Sequence, residues 1–308
     1  MNTPSSLARS FEAGTVASPA PSPVRPIYWS VRRELWENRS LYIAPFAAAG
    51  VFLFGFLIST IQLPGKVRAL SSLDPMQQHD TVAAPYHMAA GLLMLTAMVV
   101  GAFYCVNALG SERRDRSILF WKSLPVSDHT AVLAKASIPL VFLPLLTFSI
   151  TYILQLVMLI VSTAILWANG LDATIIWTQL SFPRMTLLLF YHLTTVHALW
   201  HAPLYAWLLL VSAWARRAAL LWAVLPPFAI GTFERMVFGT SYFMDMLEQR
   251  LTGGGAEAVT LPGTLPMDPM THPTLGQFLI SPGLWIGIAL TALFLATSIR
   301  LRHYRGPI

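Results

Sequence analysis

The chain has 308 residues and a net charge of +6, with 11 % charged side chains against 55 % from the set Ala, Val, Ile, Leu, Met, Phe, Trp, Tyr and Cys. Soluble domains carry about 25 % charged residues, so a soluble enzyme or solvated scaffold is excluded and the chain reads as an integral membrane protein. Basic residues sit at the ends of apolar segments rather than on one polar face, which fits membrane topology and no nucleic-acid partner. A single cysteine, Cys105, excludes an intrachain disulfide and any multi-cysteine metal site.

Residues 1–26 are rich in Ser, Pro and Ala without an apolar core, and are read as a disordered cytoplasmic tail rather than a signal peptide. From Ile27 the character changes. Ile27, Val31 and Leu35 recur at helical spacing within 27–40, with Trp29 and Trp36 nearby and Arg32, Arg33, Glu37 and Arg39 on other faces. This pattern predicts a helix in the headgroup layer, its apolar side in lipid and its basic side near phosphates. A plain extension of the first span is the alternative.

Six segments reach the roughly 20 apolar residues that a crossing requires. The first two are Leu41–Ile61 and Pro85–Ala108. Between them and the third lies the polar stretch Leu109–Lys135, much longer than a simple connection needs. Ser111 can cap a short helix at Glu112–Ser123, whose run Ile118, Leu119, Phe120, Trp121 is too apolar for bare solvent. Leu124-Pro125 stops that helix, and Ser127 followed by Asp128 can cap the next, which runs through Lys135 into the membrane.

This stretch resembles the first cytoplasmic loop of the permease subunits of type-2 ATP-binding-cassette exporters. The matching residues are Glu112-Arg113, Arg116, Leu119, Leu124-Pro125-Val126-Ser127 and Lys135, and the likeness continues through Pro203–Arg217 and Pro226–Glu234, so that it covers residues 27–305. The resemblance implies a coupling helix docked on a separate ATPase, with Glu112, Arg113 and Arg116 orienting the contact and Leu119, Phe120 or Trp121 filling an apolar pocket ahead of Leu124-Pro125. It also implies an interfacial elbow helix over 27–40 and half of a substrate pathway per chain.

The third and fourth spans, Ser137–Trp167 and Met185–Ala215, exceed a perpendicular crossing and should tilt, project, or kink at Pro139, Pro144 or Pro203. The fourth carries His192, His197 and His201. At about 100° per residue His197 and His201 share a face with the spacing of a metal pair, while His192 lies roughly opposite His201. A metal or haem would therefore need further donors, such as Glu234 or His87. Metal or haem binding, a polar site on a transport pathway, and plain interhelical hydrogen bonding all remain open.

The fifth span, Ala218–Phe238, is interrupted by Pro226-Pro227 and by Glu234-Arg235, which makes it look stunted. Glu234 either faces water at the outer interface or turns inward to His197 or His201, and His197, His201 and Glu234 are the candidate pathway residues. The outer loop 239–276 holds a helix at Tyr242–Leu251 with Asp245, Glu248 and Arg250 on its polar side, then an irregular Gly- and Pro-rich stretch. The sixth span is Gln277–Ile299.

With both termini cytoplasmic, fifteen Lys and Arg lie inside and five outside (Lys66, Arg68, Arg184, Arg235 and Arg250), the bias the positive-inside rule requires. Gly65-Lys66 lacks the Gly five positions earlier that a phosphate-binding loop needs, Thr60 standing there, and no nucleophile elbow or His-Glu-x-x-His pair is present. The expectation is an all-α, multi-pass, six-span permease domain over 41–305 in the plasma membrane, the cytoplasmic (inner) membrane of a bacterium. It has no catalytic residue, metal or cofactor of its own, and ATP and Mg belong to a partner ATPase. A second permease subunit completes a homo- or heterodimer in the lipid bilayer. The rivals are an intramembrane metal or haem enzyme built on the fourth-span histidines and a non-transporting membrane anchor.

Overall fold

The computed structural model describes residues 24–70, 74–115, 127–252 and 275–304. The predicted tail up to residue 23, the centre of the polar loop and residues 253–274 of the outer loop lie outside them. Every regular element among the described residues is helical. Five segments are long and apolar enough to cross a bilayer: Ser40–Leu70, Pro75–Arg114, Asp128–Ala168, Ala219–Phe238 and Pro282–Tyr304. A sixth arises if Thr174–Trp200 and Ala202–Trp214, bent by 43° at one break, count together. The chain is an all-helical membrane protein with five or six such helices.

The elements are α1 (Val24–Glu37), α2 (Ser40–Ser59), α3 (Leu63–Leu70), α4 (Pro75–Ala108), α5 (Gly110–Arg114), α6 (Asp128–Ser137) and α7 (Leu143–Ala168). They continue with α8 (Thr174–Leu180), α9 (Phe182–His192), α10 (Ala202–Trp214), α11 (Ala219–Phe238), α12 (Tyr242–Thr252), α13 (Leu275–Ile280) and α14 (Pro282–Tyr304). One apolar cluster joins α2, α4, α7 and α8 through Phe56, Leu93, Leu154, Met158, Leu166 and Ile176. A second, nearer α1, joins Leu41, Tyr104, Ile138, Leu143, Tyr205 and Leu209, with Val31 and Leu35 packed on it. By contrast α2 and α11 turn Phe46, Val51, Phe54, Phe228, Phe233 and Phe238 outward, a surface suited to lipid tails.

Proline shapes three spans in different ways. Around Pro139 the third span widens into a π turn at Ile138–Phe142, because proline withholds the N–H that an α register needs. The fourth span runs in π register over Leu193–Trp200 and bends just before Pro203. The fifth corrects the sequence prediction: α11 passes through Pro226 and Pro227 uninterrupted for 20 residues. Pro227 leaves the Ala223 carbonyl without its α-helical donor, and the Trp207 indole N–H of α10 donates to it at 3.0 Å. Trp207→Phe should therefore strand that carbonyl and lower stability by about 1–3 kcal/mol, measured by denaturation of the purified protein. Trp207→Phe matching the parent would show that the prolines need no such support.

Candidate functional site

A charged node closes the end of the bundle where α1, α5, α6 and α14 meet. Ser127 caps α6 as its sequence predicts, its Oγ accepting from the Thr130 N–H at 3.1 Å. That start places Asp128 in the first turn and Lys135 seven residues on, hence on nearly the same face. Lys135 is 3 % exposed, and its Nζ lies 2.7 Å from Glu34 Oε1 and 3.1 Å from Glu112 Oε1. Tyr104 OH donates to the second Glu34 oxygen at 2.8 Å. Glu112 also takes Arg33 Nη2 at 2.9 Å and Arg302 Nη1, and Arg302 Nε reaches Asp128 Oδ1 at 3.0 Å.

Glu34, Glu112 and Asp128 thus face Arg33, Lys135 and Arg302, and the charges balance. Burial works against the Arg33 charge, yet the hydrogen bond to Glu37 and the carboxylates of Glu34 and Glu112 outweigh it and hold its pKa above the ordinary arginine value. Buried charges persist only when paired and hydrogen-bonded in this way. The node cross-links four elements, and its direct bonds join residues up to 190 positions apart in the sequence.

Two predicted contact residues are placed differently from expectation. Glu112 and Arg113 are each 5 % exposed and spend their charged groups within the chain, so they do not present a rim to a partner. Arg113 Nη1 donates to the Ala213 carbonyl at 2.8 Å. Ser111 is no cap either, since α5 already begins at Gly110, and the N–H groups of Leu109 and Gly110 are satisfied by Ser212 Oγ at 3.0 Å each. Arg116, Leu119, Phe120, Trp121, Leu124 and Pro125 lie outside the described residues.

Helix α1 also differs from expectation. It forms, but Val31, Leu35 and the 3 %-exposed Glu34 pack against the bundle rather than into lipid. The outer face carries Trp29 and Trp36 with Arg32 between them, its guanidinium carbon 5.2 and 5.4 Å from the two ring centres. Cationic and aromatic groups of this kind favour the headgroup layer.

The fourth-span histidines are all buried. Because His197 sits in π register, which turns each residue through less than an α-helix does, the α-helical angle between it and His201 does not apply. Their ring centres are 5.6 Å apart. His197 Nε2 meets Tyr205 OH at 3.4 Å, and His201 Nε2 donates to the Leu251 carbonyl at 3.3 Å. Among the described residues no group of three or more His, Cys, Asp or Glu side chains is gathered that could hold a metal ion. The His201 bond ties the fourth span to α12, whereas the His197 contact stays within the fourth span.

Glu234 does not turn inward to them. It accepts from Thr240 Oγ1 at 2.8 Å and from the Phe243 N–H at 2.9 Å, capping the start of α12. Arg250, expected on the polar side of that helix, is instead 9 % exposed. Its Nη1 donates to the Trp200 carbonyl at 3.1 Å, its Nη2 to the Gly283 carbonyl, and its guanidinium carbon lies 4.0 Å from the Trp200 ring centre. Burial lowers the Arg250 pKa from the usual arginine value. Glu34, Arg302, Ser212 and the inward turn of Arg250 are the features that the sequence alone did not single out. Comparison of the chain with family models, curated proteins and solved structures gives no match.

Proposed function

We propose that this chain is the transmembrane permease subunit of an ATP-binding-cassette exporter, working as a dimer of permease chains with cytoplasmic ATPase subunits that bind ATP and Mg. The observation that carries the reading is the convergence on Glu112. The residue at the foot of the predicted coupling segment is ion-paired to α1 through Arg33, to the third span through Lys135 and to the sixth through Arg302. A displacement of the segment between Glu112 and Ser127 is thereby delivered to three parts of the bundle at once. The node and both chain termini face the cytoplasm in this reading, and the membrane is the plasma membrane, the inner membrane of a bacterium.

In this role Glu112 and Arg113 are positioning residues, and the docking anchors fall to Leu119, Phe120 and Trp121. Interface anchors of that apolar and aromatic kind typically cost about 2 kcal/mol or more on truncation, roughly 30-fold in affinity. A Leu119→Ala/Trp121→Ala chain should therefore lose its ATPase during purification from the native membrane and lose nucleotide-driven substrate movement, while keeping the parent's denaturation midpoint. Retention of the ATPase with transport intact would defeat the reading.

A further inference from the structure

The end of α5 and the turn between α10 and α11 line a half-open pocket of about 270 Å³, walled by Phe103, Asn107, Leu220 and the exposed Arg114, Arg216 and Arg217 among others. Three arginines from chain positions a hundred residues apart meet here, and no acidic residue is among the described residues that line the space. Asp115 follows Arg114 but is not part of the wall. None of the three guanidinium groups has an ion pair among the described residues. Like charges separate unless something holds them, and here the backbone does. Ser212 Oγ binds both the Leu109 and Gly110 N–H groups, and Gly110 approaches so closely that an added Cβ would stand 3.3 Å from the Ser212 carbonyl oxygen. The Arg113 bond to Ala213 fixes the same register.

A second source of positive potential opens on the cavity. The 20-residue α11 begins at Ala219, and Ala218 and Ala219 belong to the wall. Ala218 stands in the left-handed region (φ 53°) at the N-cap and has no side-chain acceptor to offer the first N–H groups. An uncapped N-terminus carries about half a positive charge and accepts an anion readily. The wall also carries the exposed apolar side chains Phe103 and Leu220, and Trp214 and Trp222, which flank its 215–220 stretch in sequence, pack edge to face at 4.9 Å and are exposed. An aromatic belt of this kind marks the level of lipid headgroups.

We propose that this cavity is a binding site for a phosphate-bearing anion, supplied by the headgroup of an anionic lipid. Arg114, Arg216 and Arg217 would surround the phosphate and the α11 N-terminus would meet its oxygens, while the acyl chains run along Phe103 and Leu220. The assignment does not depend on transport or on an ATPase.

Native mass spectrometry of the full chain, released from vesicles of phosphatidylcholine and phosphatidylglycerol in equal amounts, tests it. The parent should retain phosphatidylglycerol selectively. A basic residue near an anionic surface contributes about 1 kcal/mol, close to fivefold, so Arg114→Gln should lower the preference about fivefold and Arg216→Gln/Arg217→Gln about 30-fold. Arg39→Gln removes an exposed charge outside the cavity and should lower the preference less than Arg114→Gln does. If the double variant does not fold, Arg114→Gln on the other wall decides alone. Equal selectivity in parent and cavity variants, or an equal loss in Arg39→Gln, would overturn the site. Displacement of the lipid from the parent by inorganic phosphate would overturn the lipid assignment in favour of a free phosphate.

Discussion

Lys135→Met is expected to destabilise the purified protein by about 3–5 kcal/mol, the usual consequence of removing one partner from a buried charged pair. Its ammonium stands within 3.1 Å of two carboxylates. Those two carboxylates do not lose equally. Glu112 keeps Arg33 and Arg302, whereas Glu34 keeps the Tyr104 hydroxyl and a distant Arg33 at 3.7 Å. The damage therefore concentrates on Glu34, and neutralising it should recover part of the loss. In denaturation of the four proteins of the cycle, Glu34→Gln/Lys135→Met should be more stable than Lys135→Met alone, giving a coupling of 0.5 kcal/mol or more by the general behaviour of contacting residues. Additive losses would mean that the two side chains do not share a buried site. Under the proposed function the rescued double variant should still transport poorly, because its third span is no longer tied to α1 by charge.

Length and hydropathy made the helical class and the positions of the spans legible, since a bilayer sets both quantities directly. Local chemistry made Ser127 legible as a cap, because an N-cap oxygen acts within three residues. The node was only half legible. Glu34 lies seven residues from Ile27 and so falls on the same stripe as Val31 and Leu35, and an acid on an apolar face was the available signal. Its partner on the third span lies about a hundred positions away, and no local pattern specifies that pairing. The same holds for Trp207, whose indole repairs a helix around Pro227 that its own sequence would break. The histidine geometry was misread because apolar periodicity cannot distinguish a π from an α register over eight residues. Arg250 was misplaced, and Glu234 left between two placements, for another reason: each satisfies backbone groups created only by the fold, the α12 N-terminus and the carbonyls of Trp200 and Gly283.

Those carbonyls explain why the end of the bundle opposite the charged node should respond sharply to a change at Gly287. At the bend of the fourth span the Leu204 N–H, which in a continuous α-helix would reach Trp200, donates to His201 instead at 2.9 Å. The Trp200 carbonyl is left for Arg250. The guanidinium that takes it lies flat on the backbone of α14, where a Cβ at Gly287 would meet Nη1 at 2.7 Å, Nη2 at 2.8 Å and Cζ at 3.0 Å. A larger side chain must push the guanidinium away, and a rim position cannot replace two carbonyls and the Trp200 ring for a buried cation. Gly287→Val should therefore cost about 3 kcal/mol or more, combining overpacking with an unsatisfied buried charge. The break should be local: this contact, the Trp200 indole N–H to the Gln249 carbonyl and the His201 bond to Leu251 hold the C-terminal end of α12, while Glu234 still caps its start. In Gly287→Val, a cysteine placed at Gln249 should react with a water-soluble maleimide many times faster than in the parent, while one placed at His129 on α6 keeps its rate. Adding Arg250→Ala to Gly287→Val should return part of the lost stability, because the clash and the buried charge disappear together. Unchanged labelling at Gln249 with unchanged stability would show that Arg250 does not hold α12 to the bent fourth span.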